Sequence, residues 1–476
     1  MTVDAVLDSH DALGLAALVK AGEVSSAELL EAAIARAEAA DARLSFMAQR
    51  HYDRARAKVA AGLPQGRFTG VPWLLKDLNT YLEGTVTANG SRLYRDAVAP
   101  VTSELVRRIE AAGFVVFGKT ASPEFGQTAT TENKLTGATR NPWDPARIAG
   151  GSSGGASAAV AAGVIPAAHA TDGGGSIRIP AACCGLFGLK PSRGRVPMGP
   201  LRTEGWGGLS VHHAVSWTVR DSAAILDCTH GQEPGARYVA PNPAMPFLDA
   251  VSHDPAPLRI ALMTRPLSGA PVDPQCVAAA RAAAALCESL GHHVEEAAPV
   301  IDAAGVGNAA FQVMASSIAA DVEDRAAATG RAIGPDTLEP ITLAAVAFGR
   351  SVGGMAVARA NATFQTAALA MSRFLDNFDL ILSPTLTAPP LPIGTINLDP
   401  GVGFMEWGAR VGPFAAFTQL ANVTGQPSMS VPLAMSDDGL PIGVMFSGRY
   451  GEEALLYALA GQLERAAPWI GRRPRI

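Results

Sequence analysis

The chain has 476 residues, 48% of them hydrophobic and 17% charged, with a formal net charge of −5. This is the composition of a globular protein; it argues against disorder and offers no excess of positive charge for a nucleic-acid partner. Five irregularly spaced cysteines (Cys183, Cys184, Cys228, Cys276, Cys287) include no C-x-x-C pair, so neither a disulfide framework nor a structural zinc site is expected.

From the N terminus, Met1-Thr-Val-Asp-Ala lacks the layout of a signal peptide, and no uncharged apolar run has the length of a membrane span. The expectation is a cytoplasmic protein with no membrane partner. Ser25-Ser-Ala-Glu28 fits a capping box, followed by Leu29, Leu30, Ala33 and Ile34 at helical spacing. Gly70-Val-Pro-Trp-Leu-Leu predicts a buried strand, Ser103 to Ala112 a helix and Phe114-Val-Val-Phe a second strand. A helix of small residues is expected over Ala156 to Ala162, and a strand near Val164 to His169. Six prolines between Glu233 and Pro257 suggest a long surface excursion. Beyond it, Leu258 to Met263 reads as a strand. Asp273-Pro274 opens a helix to about Leu290, with Gly291 just past its end. Region 301–355 is helical in composition, Leu380-Ile-Leu-Ser-Pro-Thr and Ser428-Met-Ser-Val-Pro read as strands, and Glu453 to Glu464 as a last helix. This alternation predicts an α/β protein with a largely buried sheet, and no linker divides it: one domain over 1–476, with a helical region at 1–65, a core at 66–200 and the remainder at 201–476.

Only six basic residues are lysines, and one of them, Lys76, ends the apolar run Val71-Pro-Trp-Leu-Leu. A buried lysine can give up its proton and serve as a base, which arginine cannot. Two glycine clusters carry serines: Gly150-Gly-Ser152-Ser153-Gly-Gly155 and Gly173-Gly-Gly-Ser176. Glycines permit the close turns of such segments, and three in a row before a serine can turn several N–H groups to one point, as an oxyanion hole requires. Asp172 and Arg178 flank the second cluster and suit an ion pair across the turn, while His169 is expected to pack within the preceding strand. Gly113 to Thr120 matches the phosphate-loop expression G-x-x-x-x-G-K-T, the basis of an alternative nucleotide-binding reading. Its intervening Phe-Val-Val-Phe, however, reads as a strand. Gly150 to Gly154 matches the nucleophile-elbow expression, but Asp144-Pro-Ala-Arg147 does not read as the strand an elbow needs. His212-His213 and His292-His293 are read as loop or strand-edge residues, with no metal site.

In order along the chain these pieces resemble the amidase signature family. The match includes Gly70 to Asp77, Gly118-Lys-Thr120, Gly137 to Trp143, Gly150 to Gly155, Asp172 to Arg178, Gly188 to Pro191, Asn422 to Pro427 and Gly439 to Gly443. The resemblance implies one domain with a central mixed sheet covered by helices on both faces. It implies Ser176 as nucleophile, Ser152 as proton relay across a cis peptide, and Lys76 as terminal base. Backbone N–H groups of Gly173, Gly174, Gly175 and Ser176 would form the oxyanion hole, with Ser153, Asp172 and Arg178 supporting them and no cofactor or metal. Within the family the chain is similar to cyclic-dimer hydrolases of 6-aminohexanoate, aryl acylamidases and urethanases. It is less like the glutamine-hydrolysing subunit of tRNA-dependent amidotransferases, the alternative reading, whose lysine motif continues Lys-Asp-Asn where this chain has Lys76-Asp77-Leu78. The implied partner is a small hydrophobic or aryl amide, or a carbamate, acted on by a monomer or homodimer. Gly173 departs from the larger residue common at its position and is expected to leave room beside Ser176. Val402, Phe404, Met405, Trp407, Phe414 and Phe417, together with region 301–355, are the candidates for the substrate pocket.

Overall fold

Two sheets organise the chain. The computed structural model describes residues 2–399 and 401–475. The smaller sheet runs Met47–Arg50, Val115–Thr120, Pro72–Lys76, with the last two strands parallel. Its side chains alternate between two cores, as the period of two in a strand demands. Trp73, Leu75 and Val116 face the main core. Leu74, Val115 and Phe117 face Leu30, Ala33 and Leu44 of the Ser26–Leu44 helix. That helix carries the expected capping box at Ser25 and Glu28.

The larger sheet has eight strands in the order His293–Glu296, Arg259–Leu262, Leu380–Pro384, Pro441–Ser447, Ser428–Met435, Phe187–Lys190, Val211–Ser216, Ala167–Asp172. Its first three strands are parallel and the rest antiparallel, so the sheet is mixed. Helices cover both faces. Ile260, Leu262, Leu380 and Leu382 pack with the Pro274–Ser289 and Glu453–Ala466 helices, while the intervening Ala261 and Ile381 turn to Met371 and Leu375 of the Gly354–Leu375 helix.

Most expected elements are present, with shifted ends. The strand expected near Val164 to His169 is Ala167–Asp172, where alanines carry no hydrophobic period to mark a boundary. The Pro274–Ser289 helix is capped by the Asp273 side chain on Gln275 N–H, with Gly291 at φ +93° beyond it. The proline-rich excursion is not wholly superficial: its Phe247–Val251 helix buries Phe247 in the main core. His293 does lie on an edge strand, but His212 and His213 do not. Both are buried in an inner strand, their side chains on opposite faces. Asp144–Ile148 is a strand after all, paired with Arg140–Asn141 in a short hairpin and bridged to Leu391, Pro392 and Ile393, which is not the buried strand of an elbow. Among the described residues no single helix is long and apolar enough to cross a membrane.

Candidate active site

Lys76 ends its strand beside Thr120, fully buried, where its Nζ meets three hydroxyls: Ser152 Oγ at 2.7 Å, Thr171 Oγ1 at 2.8 Å and Ser153 Oγ at 3.0 Å. Three acceptors match the three N–H bonds of a protonated amine. Ser153 already donates to Thr171 O and accepts from Thr171 N–H, so it can only accept from Lys76. When Lys76 is neutral, its lone pair is free to accept from Ser152. Burial pushes the lysine well below its ordinary value, and the charge of Asp172 opposes this only in part.

Ser152 follows a cis peptide bond from Gly151 and precedes the Gly154–Ala161 helix. Ser176 lies in the turn between the Ala167–Asp172 strand and the Arg178–Cys184 helix. Both serines line one small chamber of about 20 Å³. The turn is fastened by Asp172. Its carboxylate accepts from Gly175 N–H (2.7 Å), Ile177 N–H (3.1 Å), Asn422 Nδ2 (2.8 Å) and, in a bidentate pair, Arg178 (3.0 Å on each oxygen). Burial alone would raise the carboxyl; the Arg178 charge and hydrogen bonds outweigh it and hold Asp172 well below the carboxylate range. Asp172 and Arg178 thus form the expected clamp. Because Gly175 N–H is taken by that clamp, the donors free to meet a ligand narrow to Gly173, Gly174 and Ser176, whose N–H groups have no partner among the described residues.

The room expected beside Gly173 is filled. A Cβ on Gly173 would lie 2.8 Å from the ring of Trp206, which the chain places against the turn with φ at +51°. A bulky residue in left-handed conformation costs about 1–2 kcal/mol, so the surroundings must impose it. Gly173 is therefore small to admit Trp206. Gly175, at φ +134° with Thr418 Oγ1 2.3 Å from where a Cβ would be, is fixed by conformation and space together.

On its other side Ser176 faces a cavity of about 130 Å³, which shares Phe311, Gly412, Ala415 and Gln419 with the lining of a neighbouring groove of about 520 Å³. Among the described residues neither lining contains a charged side chain. Of the six pocket candidates, Trp407 lines the cavity, and Met405 and Phe417 line the groove. Phe404 and Phe414 belong to the core, with Val402 packed against it. Region 301–355 contributes Ala310, Phe311 and Met314 of the Ala303–Thr329 helix. Gln127, Trp206, Thr171 and His212 belong to the site without having been marked in sequence. Of these, Thr171 adjoins the matched Asp172 to Arg178 piece, and His212 reads from the sequence only as a loop or strand-edge residue.

The other motifs settle elsewhere. Val115–Thr120 is a fully buried strand, and Lys119 Nζ is spent on Val86 O (2.7 Å) and Thr87 Oγ1 (2.7 Å), so no phosphate loop exists there. His169 lies in its strand, accepting from Lys76 N–H at 3.1 Å.

Comparison with known proteins agrees with this architecture. The Amidase family model matches residues 28–457. The 6-aminohexanoate-cyclic-dimer hydrolase of Paenarthrobacter ureafaciens is 38% identical, the alignment covering 98% of this chain and 97% of that one. A solved structure of 6-aminohexanoate cyclic dimer hydrolase superposes with a TM-score of 0.93 at 38% identity, covering 98% of this chain and 99% of that chain. A bacterial aryl acylamidase of the amidase signature family gives 0.87 at 29% identity, again covering 98% and 99%. The chain is an amide hydrolase fold in sequence and in structure, and it belongs to the amidase family.

Proposed function

We propose that the protein hydrolyses C–N bonds of small hydrophobic or aryl amides, and of aryl carbamates, through an acyl-enzyme on Ser176. The observation that carries this is the position of Ser152: its Oγ is 2.7 Å from the Lys76 amine, and it lines the same chamber as Ser176. Ser176 Oγ attacks the carbonyl carbon and passes its proton to Ser152, whose own proton goes to neutral Lys76. The developing oxyanion is met by N–H groups of Gly173, Gly174 and Ser176. The proton returns by the same path to the departing nitrogen, and water then cleaves the ester. With a carbamate the same attack releases amine, alcohol and carbon dioxide.

The uncharged cavity and groove support an apolar acyl or aryl group. They weigh against free glutamine, whose α-ammonium and carboxylate would meet no opposite charge there. The direct test is amine release from an aryl amide, an aryl carbamate and glutamine by the wild type and by Ser176→Ala. Release from the aryl substrates that vanishes in the variant is expected. Turnover of glutamine alone would move the reading to an amidotransferase subunit, and aryl release surviving Ser176→Ala would remove the nucleophile.

A further inference from the structure

Behind the serines, a line of hydrogen bonds runs from backbone to chamber. Lys76 N–H can only donate, so His169 Nδ1 accepts it, at 3.1 Å. In a neutral imidazole the proton then sits on Nε2, which is 3.0 Å from His212 Nδ1, the two rings only 22° from coplanar. His169 therefore donates to His212, and the His212 proton is forced onto Nε2. Both rings stay neutral: burial first, then the neighbouring His212 and Lys76 charges, push His169 well below its ordinary value, and burial and Lys76 lower His212 to about 3.

His212 retains only 3% exposure, and it lines the chamber with Asn79, Ser152, Thr171, Ser176, Arg202 and Ser210 among others. Its Nε2–H finds no hydrogen-bond partner among the described residues, nor is it sealed off from solvent-sized space. A buried donor of fixed direction, opening into polar space, needs an acceptor. The chamber is small, about 20 Å³, which suits a single ordered water.

We infer that His212 Nε2–H holds the hydrolytic water, oriented by the chain Lys76 N–H, His169, His212. The water oxygen accepts from His212 and attacks the acyl carbon on Ser176. One water proton passes to Ser152 Oγ as the Ser152 proton moves to Lys76 Nζ. The bond from the acyl carbon to Ser176 Oγ then breaks, and Ser176 recovers a proton through Ser152, leaving free acid. Acylation needs no water, so His212 acts on the second half of the cycle and leaves the first half nearly untouched. The inference rests on the proposed acyl-enzyme.

The experiment is rapid mixing of a nitrophenyl ester of a hydrophobic acid with the wild type, His212→Phe and His212→Gln, with quenched samples weighed by mass spectrometry. Phe preserves the packing but donates nothing; Gln restores an N–H donor. His212→Phe is expected to acylate within about threefold of wild type, to release a burst of one equivalent of nitrophenol, and to deacylate about ten- to hundredfold more slowly. His212→Gln should recover most of that loss. Wild-type deacylation in His212→Phe would overturn the inference, as would equal loss of both steps with no recovery in His212→Gln. If His212→Phe does not fold, His212→Leu carries the same comparison. No acyl group on Ser176 in the wild type would instead remove the acyl-enzyme itself, so the two failures are distinguishable.

Discussion

Lys76 and Lys119 stand on neighbouring parallel strands, one register position apart, and both are wholly buried. Their partners differ in kind. Lys119 is ringed by carbonyls and one hydroxyl, with the Asp77 carboxylate at 3.9 Å; burial lowers it to about 8 against the pull of that charge. Lys76 has hydroxyls only, and the carboxylate that influences it, Asp172, is already committed to Arg178 and Asn422. A buried amine given carbonyls and a counterion remains a cation that holds the fold. One given hydroxyls with movable protons can exchange its own.

Exchanging each lysine separates these roles most sharply. Lys76→Ala should lower kcat/KM by about 10³-fold or more while circular dichroism and melting change little. Lys119→Met, which strands Asp77, should cost about 3–5 kcal/mol in denaturant unfolding yet keep activity per folded molecule within about tenfold. The reverse pattern would exchange the assignments.

Packing against the nucleophile's turn comes next. Gly173→Ala should lose about 10²-fold in kcat/KM as Trp206 is forced away, and Trp206→Gly in the same chain should recover much of it. No recovery in the double variant would mean that Gly173 is needed for its backbone rather than its space.

A smaller effect follows from titration. The neutral fraction of Lys76 grows with pH, so kcat/KM should climb, by up to tenfold per pH unit, through a limb lying below the ordinary lysine range. A limb at the free-lysine value would mean that burial does not tune this group.

Glu124 offers the weakest and purely structural case. It is buried beside Ser91, and burial raises it to about 7 although hydrogen bonds from Ser91 and Glu339 N–H oppose the shift. The folded protein then keeps a proton that the unfolded chain releases near pH 4.5. This contribution is complete below that pH and fades as pH rises through 7. Unfolding at pH 5 and pH 8 should show Glu124→Gln losing less stability over that window than the wild type, by up to about 3 kcal/mol. Identical slopes would place the carboxyl's proton elsewhere.

How far the sequence could be read follows from range. Lys76, Ser152 and Ser176 each announce themselves locally, by an apolar run or a glycine cluster, and the strands and capped helices that present them have short-range signals. Trp206, His212 and the Ala303–Thr329 helix reach the site only through tertiary packing. Nothing near Trp206 shows that a glycine 33 positions earlier was left small for it. The Ala303–Thr329 helix is rich in small residues around its whole circumference, which hides the face turned to substrate. His212 and His213 resembled edge residues because paired polar side chains in an inner strand break the expected pattern of a buried sheet.

The proposed base and nucleophile are carried by different sheets. Lys76 ends a strand of the three-stranded sheet; Ser176 follows a strand of the eight-stranded one; Ser152 lies in the seam, and the hydrogen bond from Lys76 N–H to His169 spans it. Proton transfer across that seam makes turnover a gauge of alignment. A slip of about 1 Å between the sheets would silence the relay while both cores stayed packed. Residues among the first 120 that never approach substrate can thus set the rate, by setting where one half of the molecule rests against the other.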